Sequence, residues 1–107
     1  MAWCIVDRMG KVVEVSSDWN LFALANNGDP KLMGVGSNYL DVCKGSPVAE
    51  MTRQLIRSVL DRRREDFSLT YNCHGPQAAR FFRLIGTQNA LGCRLEHRLI
   101  VEVSNGE

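Results

Sequence analysis

Charge of one sign is the first thing this 107-residue chain lacks: 13 Lys and Arg against 12 Asp and Glu leave a formal net charge of +1. No global field draws it to nucleic acid or to an anionic membrane. The one basic run, Arg62 to Arg64, is followed at once by Glu65 and Asp66 and reads as a solvated helix end, where cations oppose the negative end of the helix dipole. Long apolar runs are missing too. None approaches the ~20 residues that cross a bilayer, and the N-terminus has neither the basic nor the apolar region of a signal peptide. A cytoplasmic location without membrane insertion is the expectation.

Cysteine is sparse and scattered. Cys4, Cys43, Cys73 and Cys93 form no C-x-x-C pair, so reduced, mostly buried thiols are expected rather than disulfides or a zinc site. Cys73 and His74 are adjacent, but neighbours in a strand or turn point in different directions, and His74 is expected at an exposed turn. No G-x-S-x-G, P-loop, H-E-x-x-H or dinucleotide glycine motif occurs, and direct catalysis is not expected. Repeats and low-complexity segments are also absent.

What is present suits one soluble domain with a single core, since 45% of the residues are hydrophobic. Trp3 to Val6 and Lys11 to Ser16 are short apolar runs separated by D-R-M-G, the pattern of a β-hairpin. Ser16 or Ser17 then caps a helix in which Trp19, Phe22 and Ala23 share a buried face, with Trp19 a core residue. Asn26 to Pro30 stops it. Lys31 to Gly45 has no clean period yet carries Tyr39, Leu40, Val42 and Cys43, so it is expected to fold onto the core as short turns. Ser46 as N-cap and Pro47 at the first helical position open an amphipathic helix whose apolar face is Val48, Met51, Leu55, Ile56, Val59 and Leu60.

Three strands follow. In Asp66 to Asn72, Phe67, Leu69 and Tyr71 alternate with polar residues. C-H-G-P turns the chain into Arg80 to Gln88, with Phe82 and Leu84 on one face and Phe81, Arg83, Ile85 and Thr87 on the other. Arg94 to Val103 places Leu95, His97, Leu99, Val101 and Val103 on one face. The expected fold is α+β: a five-stranded antiparallel sheet with helices packed on one face.

The ordered set I-V-D-R-M-G-K-V-V-E-V-S, S-D-W-N-L-F-A-L-A-N, G-V-G-S-N-Y-L-D-V-C, the long helix, and F-S-L-T-Y-N-C-H-G-P followed by R-F-F-R-L resembles the PAS domain family, especially the PAS domains of bacterial sensory proteins. The resemblance covers almost the whole chain. It implies that residues 1–107 are a sensor or interaction module, a fragment of a longer signalling protein whose effector is a histidine kinase or a cyclic-dinucleotide enzyme. It also implies a small molecule or cofactor between sheet and helices, with flanking helices passing the signal on. The flavin-photoreceptor branch carries G-x-N-C. Here Gly36, Ser37 and Asn38 match but Tyr39 stands in the fourth position, and a phenol cannot replace the thiolate chemistry. Haem-binding relatives use a histidine from the helical block, and none lies between Ser17 and Arg64. His97 is the remaining inward candidate, more readily a hydrogen-bonded core residue than an axial ligand. The cofactor, if any, stays unassigned.

Two readings of the site stand side by side. In the first, Asn38, Tyr39, Tyr71 and His97 supply a few polar groups to a cavity otherwise lined by Met51, Leu55, Val59, Phe67, Leu69, Phe82 and Leu84, although the same apolar residues would serve equally in a filled core. In the second, no small molecule is bound and the domain forms a homodimer through Phe81, Ile85 and Ile100, which lie among Arg83, Arg94, Arg98, Glu96 and Glu102.

Overall fold

The computed structural model describes residues 1–26, 28–74 and 78–104, with the His74 side chain outside the description. The expectations for His74 and for the turn after Cys73 therefore lie outside the described residues. The elements run β1 (Ala2–Asp7), β2 (Val12–Val15), α1 (Trp19–Ala25), α2 (Pro30–Met33), α3 (Tyr39–Val42), α4 (Pro47–Leu60), β3 (Asp66–His74), β4 (Ala78–Gln88) and β5 (Gly92–Ser104). Every pairing is antiparallel, in the order β2-β1-β5-β4-β3. The last strand thus enters the middle of the sheet, pairing Cys4 with Leu95 on one side and Leu84 with His97 on the other. Among the described residues no helix is long and apolar enough to cross a membrane.

Local sequence explains most boundaries. Asp7 Oδ1 accepts from the Met9 and Lys11 N–H groups, and Gly10 takes φ 88°, closing the first hairpin. Ser46 Oγ accepts from the Ala49 N–H with Pro47 next in line, the N-terminus expected for α4. The start of α1 differs from expectation. Its N-cap is Asp18, whose side chain makes no capping bond, and Ser16 Oγ accepts from the Trp3 N–H and donates to Asp18 Oδ1. The serine fastens helix to strand instead of capping.

One face of the sheet carries the core. Cys4, Val6, Leu84, Cys93 and Leu95 pack with Ile56, Val59 and Leu60 of α4 and with Trp19, which is fully buried. Trp19 Nε1 donates to the Met33 carbonyl at 3.0 Å, so the ring that fills the core also holds α2 in place. Phe67 lies across Gly86, where an added Cβ would collide with the ring. The inward stripe of α4 is Thr52, Ile56, Val59 and Leu60, while Met51 is 54% exposed and Leu55 only partly buried. Thr52 enters this face because its hydroxyl donates back to the Val48 carbonyl at 2.8 Å.

The expected face of β5 fails past Leu99. Phe82 pairs with Leu99 but Phe81 with Val101, so Ile100 is an extra residue and the register shifts there. Beyond this bulge Val101 and Val103 join Phe81 on the outer face, not the inner one, and Glu102 turns inward to meet Arg80. The β4–β5 ribbon extends past the helical layer, which makes the molecule 45 Å long against 24 Å in its other dimensions and leaves Leu99, Ile100, Val101 and Val103 exposed.

The basic run also differs from a simple solvated end. Arg62 takes φ 61°; its N–H donates to the Val59 carbonyl and that of Arg63 to the Ser58 carbonyl, a Schellman ending to α4. Its guanidinium donates to the Gly92 and Asn89 carbonyls at 3.0 and 2.9 Å, latching the helix end to the β4–β5 turn. Arg62→Ala keeps the left-handed strain and loses the latch, and should cost about 2 kcal/mol. Arg62→Gly loses the latch but relieves the strain, and should be the less damaged variant by about 1 kcal/mol. Urea unfolding of both variants checks the order; equal losses would remove the strain argument.

Candidate ligand cleft

The turn segment before α4 is secured to the first hairpin. The Val12 N–H donates to the Ser37 carbonyl, Gly36 N–H to the Val12 carbonyl and Tyr39 N–H to the Gly10 carbonyl. Asn38 Oδ1 accepts from the Leu40 N–H at 2.9 Å and its Nδ2 donates to the Met9 carbonyl at 3.2 Å. Both ends of its amide are engaged, one in capping α3 and the other in tying it to the hairpin turn. Asn38 therefore does not line the cleft; it aims Tyr39.

Tyr39 points to the inner face of the sheet, where its hydroxyl lies 3.1 Å from Nε2 of His97. The Tyr71 hydroxyl lies 2.6 Å from Nδ1 of the same ring. Strand pairing accounts for the meeting: Tyr71 faces Phe82 across β3 and β4, Leu84 faces His97 across β4 and β5, and all four side chains share the inner face. Phe82 stacks on Tyr71 at 5.4 Å and 15°, and Phe22 of α1 lies 4.8 Å from the His97 ring. The result is a Tyr39–His97–Tyr71 chain inside an aromatic box.

Burial keeps each member uncharged. It lowers the His97 pKa from 6.5 to about 4 and pushes both phenols upward, Tyr39 well above its usual range. Both imidazole nitrogens are engaged, so an axial bond from His97 to a haem iron would have to displace a tyrosine.

Around this chain opens a cleft of about 590 Å³, within the range of small-molecule sites. Its floor is Tyr71, Cys73, Leu84 and His97; its walls are Phe22 and Ala23 of α1 with Asn26 at its C-terminal end, Met33 of α2, Tyr39 and Val42 of α3 with Cys43, and Val48, Ala49 and Thr52 of α4. Of the residues expected at the site, Tyr39, Tyr71, Leu84 and His97 meet here. Val59 and Phe67 are in the filled core beside it, with Leu55 and Leu69 partly buried against that core. Phe82 backs Tyr71, and Met51 faces solvent.

Residues that sequence reasoning did not place at the site include Phe22, Asn26, Met33, Val48, Thr52 and Cys73. Two had a signal: Cys73 continues the alternation of Tyr71, and Asn26 lies four residues beyond Phe22 on one helix face. Met33 had none, since it is brought in by the Trp19 bond.

His97 makes the cleft acid-sensitive. Above pH 6.5 it is neutral in both folded and unfolded chains. Below that the unfolded chain takes up a proton that the folded one refuses until about pH 4, so stability falls across this window by up to about 3 kcal/mol. The lowered carboxyls of Asp18 and Glu96 act below their ordinary values of 3.8 and 4.5, leaving pH 4.5–6.5 to His97 among the described groups. His97→Gln, which keeps a donor and an acceptor, should flatten that part of a urea-midpoint profile. An unchanged slope would contradict the burial account.

Comparison with known proteins was consistent with this geometry at the level of fold. No family model matches the chain. An uncharacterized 104.1 kDa protein in the hypE 3′ region of Rhodobacter capsulatus is 36% identical over 86 residues, covering 73% of this chain and 9% of that relative. The chain therefore spans less than a tenth of the length of the curated relative it matches. Among solved structures, the sensor region of a sensor histidine kinase superposes with a TM-score of 0.60 at 15% identity, over 92% of this chain and 38% of that one. What this chain shares with that sensor region is the five-stranded antiparallel α+β architecture expected from its sequence.

Proposed function

We propose that the chain is a PAS-type sensory module of a bacterial signal-transduction protein, which binds a small molecule between sheet and helices and couples occupancy to an effector in the same polypeptide. The observation that carries this reading is the cleft itself. Four helices and the three strands β3, β4 and β5 contribute to one cavity whose floor holds a hydrogen-bonded polar chain in an apolar surround. A ligand there touches the central strand directly, because His97 belongs to β5, and β5 pairs with both β1 and β4. The sensor-region fold and the much greater length of the curated relative support a module within a larger protein. The domain works by binding; any catalytic output belongs to the effector, a histidine kinase or a cyclic-dinucleotide enzyme.

Native mass spectrometry of the freshly purified chain should show a stoichiometric small-molecule adduct, and Ala49→Trp, which fills the cleft, should purify without it. A clean apo mass, together with no rise in Tm on adding the small-molecule extract of the expressing cells, would overturn the receptor reading.

A second reading has its own observation. The bulge at Ile100 turns Val101 and Val103 to the outer face beside Phe81, and both are about half exposed, at 46% and 55%. Of the interface candidates, Phe81 and Ile100 are exposed there, while Ile85 is half-buried. A second copy of the chain packed on this face would make the domain a homodimerisation module. Val101→Asp should leave the unfolding transition in place and halve the mass measured by light scattering; a monomeric mass for the unaltered chain would remove this reading.

A further inference from the structure

The Tyr39–His97–Tyr71 chain has one proton more than it can use. A neutral imidazole carries one N–H and each phenol one O–H, giving three donors, whereas the two contacts at 3.1 and 2.6 Å consume two. If Nδ1 carries the proton it donates to Tyr71, Tyr39 donates to Nε2, and the Tyr71 O–H is left over. If Nε2 carries it, the Tyr39 O–H is left over. In either tautomer the surplus donor is a phenol of the cleft, and the described residues offer it no acceptor.

The complementary group lies on α1. Asn26 Nδ2 donates to the Phe22 carbonyl at 2.9 Å, which fixes the amide, and its Oδ1 is buried with no donor among the described residues. Asn26 stands one turn beyond Phe22, whose ring rests on His97, so both open groups belong to residues that line the same cleft.

The cleft is also electrically silent. Among the described residues no Lys, Arg, Asp or Glu lines it, and burial raises Cys43 to about 11, raises Cys73, and holds the phenols and His97 in their neutral forms. A buried formal charge would have no counter-ion there. The first turn of α4 borders the cleft, but its Ala49 N–H is already bound by Ser46 Oγ and it carries Glu50, which opposes an anion.

Resting on the receptor reading, we infer that the occupant is a neutral, mostly apolar molecule of about bicyclic size that presents a hydrogen-bond acceptor to the tyrosine–histidine chain and an N–H to Asn26 Oδ1 from its opposite edge. Each open group on the protein is then paired, and no charge enters the cleft.

The test uses simple probes of one shape. The chain is titrated by two-dimensional NMR with 4-quinolone, which has a carbonyl and an N–H at opposite edges, with N-methyl-4-quinolone, with quinoline-4-carboxylate and with naphthalene. 4-Quinolone should bind about tenfold or more tighter than the other three, with its largest shifts in α1 and β5. Asn26→Ala should close the gap between 4-quinolone and its N-methyl analogue. Carboxylate, N-methyl or naphthalene binding as tight as 4-quinolone would overturn the inference and leave the receptor reading intact. Failure of all four to bind would likewise overturn the inference, while the adduct mass and the extract-dependent Tm decide the receptor reading. If Asn26→Ala does not fold, the four affinities of the unaltered chain decide.

Discussion

The structure depends on a buried imidazole having two hydrogen-bond partners. His97 sits in the central strand among Trp19, Phe22 and Phe82, where an unpaired ring nitrogen would forfeit its hydration without compensation. Tyr39 from the helical layer and Tyr71 from β3 meet that need from opposite sides. Both phenols must then be aimed with care, and much of the remaining architecture does this. Asn38 uses both ends of its amide to hold α3 to the first hairpin, and Phe82 stacks flat against Tyr71.

The same arrangement links sheet to helices. Arg80 pairs with Glu102 at 2.6 Å and donates to the Ala25 carbonyl at the end of α1, so the ribbon of β4 and β5 grips the helix that carries Phe22 and Asn26. Arg62 grips the opposite end of the sheet from α4. Between these two anchors the cleft wall is built from α1, α2, α3 and the first turns of α4.

The fold was largely legible because its signals are local. Period-two alternation marked β3, and S-P marked the start of α4. Side-chain destinations were less legible wherever a distant bond decides them. Asn38 looked like a pocket group because a polar residue beside Tyr39 has no local sign of the hairpin turn it fastens. Met51 looked inward from the helical spacing of apolar residues, but Thr52 takes that place by returning its hydroxyl to Val48. Val101 and Val103 fit the alternation perfectly and still face outward, since a single extra residue at Ile100 reverses the parity without leaving a mark in composition. Tyr39, Tyr71 and His97 were recognisable as polar groups in an apolar surround. That two of them bond the third follows only from the strand register.

The most direct test of the central claim is the protonation state of the His97 ring, followed by nitrogen-15 NMR from pH 8 down to pH 5. A ring fixed between two phenols beneath a cleft predicts a neutral imidazole throughout, with one nitrogen protonated, and a ring spectrum that changes when a cleft ligand is added. A ring that titrates near its ordinary value of 6.5 would show it to be open to water, and the buried tyrosine–histidine chain would no longer stand as the floor of a ligand site.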